Sequence, residues 1–267
     1  MTNHPPAIRP EHAAPRAGWN ATVCACGLLL AAMLAAGCGQ TQSRLQNSDG
    51  VRLYQQSHYQ AALQRFQQAL QAEPENPDSY YNLAATHHQL GKANQQQADL
   101  DRAENYYNQC LDYADKKNVE HRDCYRGLAV LLMDEGRSEQ AFTLLEGWSA
   151  KYPTSAEAKI ELARLYDEHG NLEQAKGHLM QALVNQPNNP RALAALGKVR
   201  EELGEHSQAL ADYQRSLYND RFQPQVASRV QTLQNALGQA PAALTPPATA
   251  GNRARSIDAS PLSSTLR

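Results

Sequence analysis

The feature that most constrains this chain is an internal period of 34 residues. The stretch AEAKIELARLYDEHGNLEQAKGHLMQALVNQPNN (156–189) lies over PRALAALGKVREELGEHSQALADYQRSLYNDRFQ (190–223), so that Leu162 meets Leu196, Gly170 meets Gly204, Ala175 meets Ala209 and Leu179 meets Tyr213. A period of this size means one supersecondary unit copied along the chain, each copy burying its apolar face on the next. The unit itself reads as helix, turn, helix. Leu162, Leu179 and Leu183 fill the seam between the two helices, and Ala163 and Ala175 are small where the helices approach closely. Gly170 ends the first helix, where a left-handed residue costs least, and Pro187 stops the second. Ala, Leu and Gln recur throughout, aromatics are only 6%, and no β-branched run alternates with period two, so no sheet is expected.

This pattern resembles the tetratricopeptide repeat, and the resemblance extends over residues 43–223 as five units: 43–76, 77–117, 122–155, 156–189 and 190–223. Tyr59, Ala62, Phe66, Ala69 and Pro74 fit the first unit, although Asp49 replaces a seam leucine and predicts a short or frayed first helix. The second carries Tyr80, Leu83, Ala84 and Gly91, then seven extra residues before Ala103, Tyr107 and Cys110. Seven residues are close to two helical turns, which keeps the apolar face in phase and predicts two longer helices. Tyr125, Leu128, Ala129, Gly136, Ala141, Leu145, Trp148 and Pro153 mark the third. Residues 224–238 place Val226, Val230, Leu233 and Leu237 on one face of a helix that is polar opposite, as a terminal cap requires. The resemblance implies an all-α solenoid, five helix-turn-helix repeats plus this capping helix, wound as a right-handed superhelix.

Before the repeats, Ala21–Ala36 is apolar and follows Arg9 and Arg16. Sixteen residues are short for a membrane span but suit the h-region of a signal peptide (1–37). The closing LAAGC resembles a bacterial lipobox, with Ala35 where the leucine usually stands; it implies that Cys38 becomes the acylated first residue, followed by a tether, 38–42. Gly39, not Asp, follows it, which under the same resemblance favours the outer membrane facing the periplasm. Cleavage near Ala36 by an ordinary signal peptidase is the alternative. Residues 239–267, rich in Pro, Ala and Ser without an apolar period, are expected to be a disordered tail.

The chemistry is sparse. Charges nearly cancel (25 basic, 27 acidic), which argues against a nucleic-acid partner. No phosphate loop, HExxH or nucleophile elbow is present, so neither a catalytic residue, a cofactor nor a metal site is expected, and His121 with Cys124 makes a poor ligand set. Cys110 and Cys124 lie near the adjoining ends of two helices. They read either as a disulfide, favoured in an oxidising compartment, or as two small buried residues. An enzyme using this thiol pair and nearby histidines is the competing class.

A tetratricopeptide solenoid implies a concave groove lined by the first helix of each repeat. Here that groove would hold Tyr54, Tyr81, His88, Arg126, Met133, Arg164, Asp167, Arg191 and Lys198, a mixture of signs suited to a peptide or partner helix. The carboxylate clamp of chaperone-binding members is not reproduced: of Asn47, Val51, Asn82, Asp123 and Gly127 only Asn82 matches. The expected function is a lipid-anchored interaction scaffold binding a protein or peptide partner in the periplasm. Its narrower version is a pilotin-like or barrel-assembly-like factor of an outer-membrane machine.

Overall fold

The computed structural model describes residues 39–238, and every regular element among them is an α-helix. In chain order these are α1 (39–55), α2 (Tyr59–Ala72), α3 (Pro77–Asn94), α4 (Gln97–Lys116), α5 (Arg122–Asp134), α6 (Ser138–Lys151), α7 (Ala156–Glu168), α8 (Leu172–Asn185), α9 (Pro190–Glu202), α10 (His206–Asn219) and α11 (Pro224–Ala236). Two compact units divide between Gly136 and Arg137, so α1–α5 belong to one and α6–α11 to the other.

Helix ends follow from residue type. Pro77, Pro190 and Pro224 open α3, α9 and α11, where the missing N–H would be unsatisfied anyway. Asn76, Ser155 and Asn189 cap α3, α7 and α9 by accepting from Asp78, Ala158 and Ala192 backbone N–H groups. Gly136, Gly170, Gly204 and Gly238 recur at the period of the repeat and turn the chain at φ of 72°, 75°, 78° and 64°. In the first unit Ser57 (φ 62°) and Gln95 (φ 54°) make the same left-handed turn with a side chain.

In the first unit Ala62, Leu63 and Phe66 of α2 pack with Leu83 and Leu90 of α3. The expectation of a frayed first helix is overturned, since α1 runs unbroken to residue 55. Polar and small residues replace the missing leucine. A methyl at buried Gly50 would fall 2.3 Å from the Phe66 ring, so glycine admits the ring there. Ser43 accepts from Asn76 Nδ2 (3.4 Å), while Asn47 donates to Ser79 Oγ (2.9 Å) and accepts from Asn82 Nδ2 (3.3 Å). Helices α3 and α4 are 18 and 20 residues long, against 13 or 14 for α5–α11. Gly91 lies inside α3, and a buried bond in which the Asp99 carboxylate accepts from His87 Nδ1 at 2.9 Å ties the two long helices together.

In the second unit apolar side chains cluster between successive helices. Ile160, Ala163, Ala175, Leu179, Ala182, Leu196 and Val199 join α7, α8 and α9. Burying each such leucine contributes about 1.5–3 kcal/mol. Beyond them α11 lays Leu233, Val226, Val230 and Leu237 on Ala209, Leu210 and Tyr213 of α10.

Candidate functional site

Helices α7, α9 and α11 of the second unit line two adjoining cavities of ≈ 720 and ≈ 760 Å³. Helical spacing explains which side chains reach them: Ile160, Arg164, Asp167 and Glu168 leave one face of α7, and Arg191, Ala194, Lys198, Glu201 and Glu202 one face of α9. Ala194, Ala195 and Val226 form an apolar floor common to both, and Gln225 and Arg229 of α11 complete the far side.

The rim charges are organised in pairs. Arg191 bonds Glu157 and, at 3.0 Å, Glu161, which also takes Arg164 Nε at 3.0 Å. Arg164 Nη1 reaches Glu168 at 2.5 Å, Lys198 reaches Asp167 at 2.5 Å and Glu202 at 3.1 Å, and Arg229 pairs with Glu201. Burial opposes the Lys198 charge, yet its bonds to Asp167 and Glu202 outweigh that and hold the ammonium above the usual lysine range. Arg164 Nη2 is buried without a hydrogen-bond partner. Arg164, Asp167, Arg191 and Lys198, the four sites expected from α7 and α9, therefore converge on one groove whose charged groups are already oriented.

The five expected residues of the first unit are placed differently. Tyr54 stands edge-on to Tyr59 at 5.4 Å, and half-buried Tyr81 tilts against Tyr107 (6.2 Å) and His121 (5.8 Å). Burial is the main reason both the Tyr54 and Tyr81 phenols are pushed up. Arg126 pairs with Asp123 at 3.2 Å, and Met133 is half-buried. His88 faces inward: it is 8% exposed, its Nε2 lies 3.1 Å from Asp134, and Asp134 also accepts from Lys92 at 2.7 Å. It serves as a buried link between α3 and α5 instead of an open groove wall.

Cys110 of α4 and Cys124 of α5 are joined as a disulfide, with Cα atoms 6.4 Å apart. Tyr80 packs beside the pair and stacks on Tyr113 at 4.9 Å. His121 caps α5, its Nδ1 accepting the Cys124 N–H at 3.3 Å, so its Nε2 carries the proton and donates to Asp78 at 3.0 Å. That bond is the main reason the Asp78 carboxyl is held below its usual range. Both sulfurs and a His121 ring nitrogen lie within 4.8 Å of one another. The sequence brings Cys110 beside Cys124 and offers His121 with Cys124 only as a poor ligand set; what it does not show is Asp78, which reaches His121 from α3.

Residues 1–37, Cys38 and residues 239–267, which carry the expected signal peptide, lipidation site and tail, lie outside the described residues. Among the described residues no helix is long and apolar enough to cross a membrane.

Tetratricopeptide repeat models match residues 88–156 and 132–199, and a TPR repeat model matches residues 50–91. No curated protein sequence matches the chain. Among solved structures, a thermophilic TPR protein of Thermus thermophilus is 24% identical, with a TM-score of 0.55 over 72% of this chain and 99% of that one. PilF of Pseudomonas aeruginosa is 15% identical (TM-score 0.55, 75% of this chain and 86% of that one). PilW, a type IV pilus biogenesis factor, is 19% identical (TM-score 0.54, 74% and 87%). At these identities the likeness is one of fold.

Proposed function

We propose that this chain, an all-α solenoid of tetratricopeptide repeats, is a non-catalytic scaffold that takes an extended peptide or a partner helix in the groove between α7, α9 and α11. The observation carrying this reading is the pair of adjoining cavities with an apolar floor and a rim of ordered charges. An apolar floor supplies burial energy without sequence demands, while pre-paired rim charges select by exchanging partners with an incoming chain. The repeat family is one of protein-binding modules, which favours such an occupant.

The scaffold is tethered in this reading by lipid on Cys38, on the periplasmic face of a bacterial outer membrane. The LAAGC run behind an apolar segment supports it. A narrower reading, a pilus-assembly or related envelope-assembly factor, is favoured by the fold shared with PilF and PilW.

A photo-crosslinking residue at Ala194, which lines both cavities, tests the groove against one at exposed Gln181 on α8. In the full chain in its own cells, a discrete adduct is expected at 194, absent at 181 and lost on adding Lys198→Glu. Equal adducts at both positions would remove the groove from the reading. Intact mass of the membrane-extracted protein tests the tether: a chain starting at Cys38 with added acyl mass, abolished by Cys38→Ala, is expected. An unmodified chain cut near Ala36 would leave a soluble adaptor instead.

A further inference from the structure

We infer that Cys110, Cys124 and His121 form a second site, for a thiophilic divalent cation of the Zn²⁺ class, open only when the Cys110–Cys124 bond is reduced. Three observations carry it. Both sulfurs and a His121 ring nitrogen already lie within 4.8 Å of one another, although they come from α4, α5 and the segment between them. The sulfurs are fully buried while the His121 side chain is 12% exposed, which leaves the imidazole at the mouth of the site. The third is the orientation of the ring. Nδ1 faces the first turn of α5, where Cys124 sits, and Nε2–H is fixed by the Asp78 carboxylate at 3.0 Å. A carboxylate holding the outer nitrogen of a ligand histidine sets its tautomer and raises its basicity. Asp78 is thus a positioning residue, not a ligand.

The chemistry closes as follows. A dithiol reductant gives two electrons and two protons to the S–S bond, leaving Cys110 and Cys124 as thiols and becoming a disulfide itself. The cation then displaces both thiol protons to solvent and takes two thiolates and the Nδ1 lone pair, which gives up its hydrogen bond from the Cys124 N–H as it does so. Two sulfurs with one imidazole suit a borderline-soft ion in tetrahedral geometry, with water as the fourth ligand. Oxidation and cation binding exclude each other, so one pair of residues alternates between a crosslink and a cation clasp.

The test uses Co²⁺ as the spectroscopic probe and the full chain with Cys24, Cys26 and Cys38 changed to Ser, so that only this pair responds. After reduction, one Co²⁺ per chain is expected, with thiolate-to-metal charge transfer and tetrahedral d–d bands displaced by Zn²⁺. The oxidised protein should show neither. Asp78→Asn should weaken Zn²⁺ affinity by about 10- to 100-fold while the thiolate bands persist, and His121→Ala should lose one ligand's contribution to the d–d bands. If reduction costs helicity, its return on adding Zn²⁺ supports the site. A reduced chain without bands, or His121→Ala binding as the parent does, would overturn the inference.

Discussion

Arg191 of α9 pairs with Glu157 of α7, the residue 34 positions earlier and hence at the same place in the preceding repeat. The repeat thus changes sign at one position, and the change of sign becomes a bond between consecutive first helices. The second nitrogen of Arg191 bonds Glu161, whose side chain is only 4% exposed.

Arg191→Ala should therefore cost more than an ordinary surface pair. Glu161 keeps Arg164 but loses the Arg191 cation while nearly buried. A loss of about 1–2 kcal/mol is expected by urea denaturation. Arg191→Lys should recover only part, because a point charge cannot reach two carboxylates with a planar fork. If Arg191→Ala and the parent unfold alike, the pair is a surface ornament.

Much of the helical layout was legible in the sequence for physical reasons. Pro77, Pro190 and Pro224 tolerate only the first turn of a helix, and Gly136, Gly170 and Gly204 adopt a backbone that other residues avoid. The four groove residues on α7 and α9 were legible through the resemblance to the repeat family, which assigns the groove to the first helix of each unit, while helical period keeps each pair on one face of its own helix. The first unit was less transparent. Asp49 suggested a weak α1, but the helix is held by Gly50 beneath Phe66 and by amide contacts from Asn47, which no hydrophobic pattern reveals. His88 stood at a groove position yet turned inward, because Asp134 lies 46 residues away in sequence and 3.1 Å away in space. Cys110, His121 and Asp78 met only through the packing of three segments.

Glycine-to-alanine changes should have opposite signs at two helical positions of the second unit. A methyl on Gly177 in α8 meets nothing within 4 Å, so Gly177→Ala should stabilise by about 0.5–1 kcal/mol through helix propensity. A methyl on Gly197 in α9 would lie 2.7 Å from the Tyr213 ring and 3.0 Å from its Cγ, so the buried ring would have to shift. Gly197→Ala should destabilise by about 1–3 kcal/mol. Chemical denaturation of both variants checks the pair, and a shared sign would refute the packing argument.

The disulfide closes a sequence separation of 14 residues. In the chain-entropy view a loop near this size contributes about 3 kcal/mol, chiefly by restricting the unfolded chain. Reductant should lower the guanidinium midpoint of the parent and leave a Cys110→Ala/Cys124→Ala variant unmoved. Stability indifferent to reductant in both proteins would mean the bond adds nothing to folding.

Acid should destabilise the fold through two histidines. Burial lowers the pKa of His178, whose Nδ1 is buried without a partner and whose ring stacks on Tyr166 at 5.2 Å. Burial also lowers that of His88, in spite of the nearby Asp134. A histidine whose folded-state pKa lies below the ordinary value of 6.5 binds protons less readily folded than unfolded. Below about pH 6.5 the unfolded chain therefore holds more protons, and stability falls as the pH drops from there towards the folded-state pKa values. Above that range the contribution is fully present. His178→Phe keeps an aromatic ring to stack on Tyr166 and removes the titration. It should shrink the difference in unfolding free energy between about pH 7.5 and about pH 5.5. An undiminished difference in that variant would transfer the effect to His88, where His88→Gln, which preserves a donor to Asp134, should then remove it.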